Sequence, residues 1–156
     1  MNCATVPPCR SGACRSLRLF DKRLFVLCSR KHPLAQAGQA RLKDLRGEQF
    51  IHTVRTGSVW QQTQAMLSAA RAGDSGFEVA QFGTVAALVE SGFGISLVPE
   101  LALRLCSRDS LAAIPLTDRK ATRPIFMVRR RQRSLSIAAQ AMWTQLLKHL
   151  PVRTAA

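Results

Sequence analysis

The chain has 156 residues, 47% of them hydrophobic, enough for one domain or two small lobes with a real core. No apolar run approaches the ~18 residues of a membrane span, and the N-terminus lacks the apolar stretch of a signal peptide, so a cytoplasmic protein is expected. The net charge of +14 is gathered in two clusters, Arg10 to Lys31 and Arg119 to Arg133. Charge of that kind often meets nucleic acid or anionic membrane, but the favoured reading of these clusters is a pair of solvated basic edges. Without tyrosine and with few aromatics, no stacking platform for single strands is evident.

In chain order, residues 1–16 are rich in Cys, Pro, Ser and Arg and read as an irregular tail. "RLFVLCS" (23–29) is a continuous apolar run, as in a strand buried on both faces. Pro33 then ends the ladder and restricts His32. A helical turn is expected around Leu42 and Leu45, and a strand near Phe50 and Ile51. Ser58 with Gln61 has capping-box spacing, and Val59, Thr63, Met66, Leu67 and Ala70 follow on one helical face. Gly73 suits the position past that helix's last turn. "FEVAQF" (77–82) alternates as a strand, and a second helix is expected from Thr84, with Val85, Leu88 and Val89 at helical spacing.

"LVESGFGISLVPE" (88–100) holds the pair Gly92 and Gly94. A dinucleotide loop places its glycines after a strand and before a helix. Here they follow a helix and precede a strand, and position 97 is Leu97, so Gly92 reads as a left-handed helix cap. A short helix after Pro99, strands near 111–116 and 123–130, and a last helix over about 136–150 complete the chain. In that helix Ala139, Trp143, Leu146, Leu147 and Leu150 share one side. Alternating strands and helices predict an α/β fold with mainly parallel pairing.

Catalytic motifs are absent: no H-E-x-x-H, no G-x-S-x-G and no P-loop. His32, His52 and His149 lie far apart, and the five cysteines (3, 9, 14, 28 and 106) lack zinc-site spacing and are expected as reduced thiols. No catalytic residue, metal or cofactor is expected, and the chain does not read as an enzyme.

Four stretches together, "LRLFDKRLFVLCSRKHPLA", "LKDLRGEQFI", "LVESGFGISLVPE" and "RPIFMVRRRQRSLSIAAQAM", resemble the C-terminal effector-binding domain of LysR-type transcriptional regulators, a bacterial family. The resemblance runs from about residue 16 to 150. It implies a fold like a type 2 periplasmic binding protein: two α/β lobes joined by crossover strands, with a small-molecule effector in the cleft. On this chain it implies one complete lobe at 50–99, with 17–49 and 100–150 as an incomplete second lobe. Residues 17–156 then form a partial effector domain. The family's winged helix-turn-helix and the opening β-α-β-α-β portion find no counterpart, so the chain reads as a fragment. The faces of "LFVLC" and of the last helix are expected to be exposed.

Anionic and polar effectors suit helix N-termini, where free N–H groups and the dipole converge. The loops "HTVRTGS" and "FGT" precede the two lobe helices, and by resemblance both face the cleft. The candidate effector-binding residues are Thr53, Thr56, Ser58, Phe82, Gly83 and Thr84, with Arg55 placed to pair with a carboxylate. Ser58 and Thr84 would also serve as N-caps whatever the function. The expected partner is a small-molecule effector such as an organic acid. Association with itself or with an intact regulator is a further possibility. Without a recognition helix, no sequence-specific DNA binding is expected of this chain alone. The alternative readings are a non-functional fragment or interaction module and a basic, non-specific nucleic-acid binder.

Overall fold

The computed structural model describes residues 14–149. In order they form β1 (Cys14–Ser29), α1 (Pro33–Ala37), a 3-10 turn (Leu42–Leu45), β2 (Gln49–Thr53), α2 (Ser58–Ala70) and β3 (Gly73–Val79). Then come α3 (Phe82–Glu90), β4 (Ser96–Pro99), a second 3-10 turn (Glu100–Ala102), α4 (Leu103–Cys106), β5 (Leu111–Pro115), β6 (Thr122–Arg130) and α5 (Ile137–His149). The chain divides into two compact units, Lys22–Arg123 and a second unit whose described residues are 14–21 and 124–149.

The unit Lys22–Arg123 is built on one run of neighbouring strands. β2 and β3 pair in parallel, with Thr53 opposite Val79. A parallel bridge between Phe50 and Ile95 continues this pair to β4. The second half of β1 lies between β4 and β5, antiparallel to both. The pairing is therefore mixed, not mainly parallel. Helices α2 and α3 return the chain for parallel pairing, whereas β1 enters without a crossover helix and runs against its neighbours. The compact unit takes in residues beyond 50–99, since β1 and then β5 extend its sheet past β4.

Period-two alternation sorts the core onto the two faces of this sheet. Val26, Phe50 and Leu97 pack on one side with Leu45, Met66 and Leu67. Leu27, Ile51 and Val98 pack on the other with Val85, Val89 and Cys106. A strand covered on both faces needs an unbroken apolar run, which is what 24–28 supplies. The expected exposure of "LFVLC" is thus overturned: Leu24, Val26, Leu27 and Cys28 are fully buried between β4 and β5.

Several local expectations also change. Residues 14–16, assigned to the tail, begin β1, while residues 1–13 lie outside the described residues. The left-handed residue closing α2 is Arg71 (φ 56°), whose N–H reaches the Leu67 and Ser68 carbonyls. Gly73 instead opens β3, with its N–H on the Glu48 carbonyl at 2.8 Å. Gly92 does adopt positive φ, 83°, just past α3.

In the other unit, β6 lies beside β1, and Leu17, Leu19 and Trp143 are buried. Of the apolar face expected on the last helix, Trp143 is buried and Leu147 exposed, while Ile137 (92%) and Met142 (62%) are exposed outside that face. Leu150 lies outside the described residues.

Candidate functional site

Because β2 and β3 run parallel, with Thr53 opposite Val79 beyond a register shift between Phe50 and His52, the loops that follow them leave the same end of the pair. Val54 N–H still reaches the Val79 carbonyl at 3.2 Å. One loop leads into α2, the other into α3. This places Thr53, Thr56 and Ser58 on one loop and Phe82, Gly83 and Thr84 at the start of the neighbouring helix. Thr53 is buried at the end of β2; Thr56, Ser58, Gly83 and Thr84 are exposed, and Phe82 is half-buried.

Helix α2 begins at Ser58 as expected, but α3 begins two residues before Thr84, and neither hydroxyl residue is the cap. Gly57, which has no side chain, is the N-cap of α2, and Gln81 is that of α3 without a side-chain cap bond. Ser58 is therefore the first helical residue and not a cap, and its capping box with Gln61 does not form. Thr84 is the third residue of α3, donating its N–H to the Gln81 carbonyl at 3.1 Å. The reason is geometric. The chain leaves each strand into a tight turn and is already helical when the hydroxyl residues arrive. Gly57 closes the turn on the Val54 carbonyl at 2.8 Å, and a Cβ there would stand 2.9 Å from that same oxygen. No acidic residue lies in either first turn. Both helix N-termini thus keep free N–H groups and an uncompensated positive dipole end.

A residue that sequence reasoning missed completes the arrangement. Arg123, at the start of β6, donates from Nη2 to Ser58 Oγ at 2.5 Å. Its neighbour Thr122 accepts from the buried Gln62 side chain at 2.7 Å, which holds this segment against α2. Partial burial lowers the Arg123 pKa by desolvation, and no carboxylate pairs with it among the described residues. Arg123 belonged to a basic cluster in the sequence, but its contact spans 65 positions, beyond any local pattern.

Arg55, expected to meet a ligand carboxylate, is engaged by Glu78. Its backbone N–H and its Nε each reach that carboxylate at 3.0 Å. The backbone bond is the largest cause holding Glu78 below the usual carboxylate range. Arg55 also lies over Trp60 at 5.3 Å, and Trp60 meets the His52 ring edge-on at 4.8 Å. Burial lowers the His52 pKa, opposed by Asp74, whose carboxylate lies 3.5 Å away.

Cys28 and Cys106 are buried free thiols; burial, then Glu48, pushes Cys28 up to about 11, and burial raises Cys106 as well. Cys14, expected to be reduced, is disulfide-bonded. His32 accepts the Leu34 N–H at 3.2 Å and caps α1, with Glu48 at 3.3 Å on its other ring nitrogen. Among the described residues no cluster could hold a metal ion, and no helix is long and apolar enough to cross a membrane.

An α/β unit with a doubly covered mixed sheet, and helix N-termini gathered at one end of its parallel strands, defines the class of periplasmic-binding-protein-like modules. The chain belongs to the LysR substrate binding domain family, whose model matches residues 4–151. It is 32% identical over 130 residues to the HTH-type transcriptional regulator YbhD of Escherichia coli (strain K12), covering 83% of this chain and 41% of YbhD. It is 27% identical over 146 residues to YwbI of Bacillus subtilis (strain 168), covering 92% and 48%. The chain therefore spans less than half the length of these curated relatives, which are named as regulators and not as enzymes. Among solved structures it resembles the regulatory domain of Synechocystis PCC6803 CcmR in complex with 2-PG, with TM-score 0.77, 18% identity, and coverage of 91% of this chain and 69% of that one. It also resembles the QuiR effector-binding domain with shikimate, with TM-score 0.75, 20% identity, and coverage of 90% and 66%. At these identities the likeness is one of fold.

Proposed function

We propose that this chain senses a small-molecule effector for a LysR-type transcriptional regulator, and that the effector is an organic acid held at the N-termini of α2 and α3. The observation that carries this reading is Arg123 on Ser58 Oγ: a guanidinium joined to a helix N-terminus that has neither acidic residue nor side-chain cap. Two sources of positive potential meet there: among the described residues no carboxylate pairs with Arg123, and the Glu78 carboxylate that reaches this loop is taken up by Arg55. In this reading Thr56 and Ser58 offer hydroxyls to one end of the anion. Gly83, which has open space around it, and Thr84 border the other. Phe82 supplies an apolar wall, and Thr53 supports the loop from beneath. Solved members of the fold hold benzoate and shikimate, both carboxylates.

Calorimetric titration of the chain with aromatic and short-chain carboxylates, each paired with its neutral amide, tests this. Acids should bind and amides should not. Ser58→Ala and Thr84→Ala should each weaken binding by about 1 kcal/mol, one lost hydrogen bond. Tight binding that ignores both substitutions would place the effector elsewhere.

A further inference from the structure

The unit containing β6 and α5 gathers a second set of cations. Arg129 lies near the end of β6 and Arg131 just beyond it, and this two-residue spacing sends both side chains to one side. β1 runs beside β6 and brings Arg15 to the same place. The three arginines line one cavity of about 380 Å³. Little in the unit offsets their charge. Asp21 is its one acidic residue among the described residues, and its carboxylate is held by Arg18 at 2.5 Å.

Arg129 shows what is missing. Its guanidinium lies over the Trp143 ring at 5.1 Å, and its Nε is buried without a hydrogen-bond partner. A buried donor on a charged group is costly to leave unpaired. An oxyanion in the cavity supplies the absent negative charge and acceptors for the guanidinium groups that line it. Three guanidinium groups offer more donors than the two oxygens of one carboxylate can take, whereas a tetrahedral dianion has an oxygen for each.

We propose that the cavity lined by Arg15, Arg129 and Arg131 is a binding site for a small phosphate-class anion, separate from the carboxylate site proposed at α2 and α3. A concave site built from three side chains fits a phosphate group better than the extended row of contacts a nucleic-acid backbone requires.

Trp143 provides the readout. In the full chain carrying Trp60→Phe, Trp143 is the sole tryptophan. Its fluorescence is titrated with inorganic phosphate, acetate and a duplex oligonucleotide at constant, near-physiological ionic strength. Phosphate should give a saturable change and acetate none. Arg15→Gln and Arg131→Gln, both at exposed positions, should each weaken phosphate binding about tenfold. Arg133→Gln removes the same charge outside the cavity and should leave binding unchanged. Absence of a saturable phosphate response in the parent chain overturns the proposal, whatever the variants do. So does an Arg133→Gln loss equal to that of Arg131→Gln, which would mean diffuse charge. A saturable response to the duplex with none to phosphate also overturns it, assigning the arginines to nucleic acid.

Discussion

Arg123 and Ser58 are joined by a 2.5 Å hydrogen bond that ties the first residues of β6 to the first turn of α2. The pairing places a cation at the positive end of a helix dipole, an arrangement unfavourable by itself. A bound anion reverses the sign of that interaction. Folding stability and ligand binding should therefore respond oppositely to the guanidinium. Arg123→Met keeps the aliphatic stem and removes the charge. It should leave the thermal midpoint unchanged or raised, since a partly buried, unpaired charge disappears. Carboxylate affinity should fall about tenfold or more. Paired melting and calorimetry check this; a large drop in midpoint with affinity intact would make Arg123 a structural residue.

His52 should give the chain a pH dependence just below neutrality. Burial holds its pKa below 6.5, Asp74 opposes that shift, and Arg55 adds to it while Glu78 opposes. As pH falls through 6.5, the unfolded chain takes up this proton before the folded one does. Stability therefore falls with pH between 6.5 and the lower folded value, and rises with pH across the same window. Glu78, held below its ordinary 4.5, contributes stability that is present above 4.5 and lost as pH falls through its folded value, a separate and more acidic window. Urea midpoints at pH 5, 6 and 7 should show a slope that His52→Gln flattens. Parallel slopes in the two proteins would exclude His52 as the source.

The unbroken apolar run at 24–28, the α2 face from Val59 to Ala70 and the turn at Gly92 were all legible in the sequence, because each is a local pattern set by burial or by a single dihedral. So was the start of α2 at Ser58, but the caps and the start of α3 were not. Side-chain chemistry pointed to Ser58 and Thr84 as caps, but the strand ends at Thr53 and Val79 fix where the chain turns, and the caps are Gly57, which has no side chain, and Gln81, whose side chain does not cap. Arg71 was hidden for a related reason: the entry into β3 requires the left-handed residue two positions before the glycine. The two loops that carry the candidate residues could be located from sequence. Arg123 could not, since only the tertiary fold brings β6 to α2.

Protection from amide exchange should follow the sheet of the larger unit. Within 24–28, residues 25–27 pair with both β4 and β5, and all but Phe25 are fully buried. Their amides should exchange as slowly as those of 50–53 and 96–98. Residues 137–149 should exchange faster, because Trp143 is the one fully buried side chain of α5 among those described. Mass-spectrometric exchange on peptides from these regions separates the cases. Fast exchange at 24–28 would mean that β1 is not held between β4 and β5.

Gly92 and Gly94 should differ sharply in their tolerance of a methyl group, although two positions apart in one turn. Gly92 has φ 83° and open space around it, so alanine there meets only the left-handed backbone penalty, about 1 kcal/mol. Gly94 has φ 143° and faces the Gln49 carbonyl, and a Cβ would fall well inside contact distance of that oxygen. The carbonyl cannot retreat. It accepts the Ile95 N–H at 2.8 Å, while Ile51 N–H reaches the Ile95 carbonyl at 2.9 Å, and these two bonds join β2 to β4. Gly94→Ala must strain the backbone or open that bridge, and should cost about 3 kcal/mol. The pair therefore serves a turn and a close strand approach. Urea denaturation of both variants, followed by far-ultraviolet circular dichroism, measures the difference. Equal losses would mean that the Phe50–Ile95 bridge does not carry the junction between the parallel pair and the rest of the sheet.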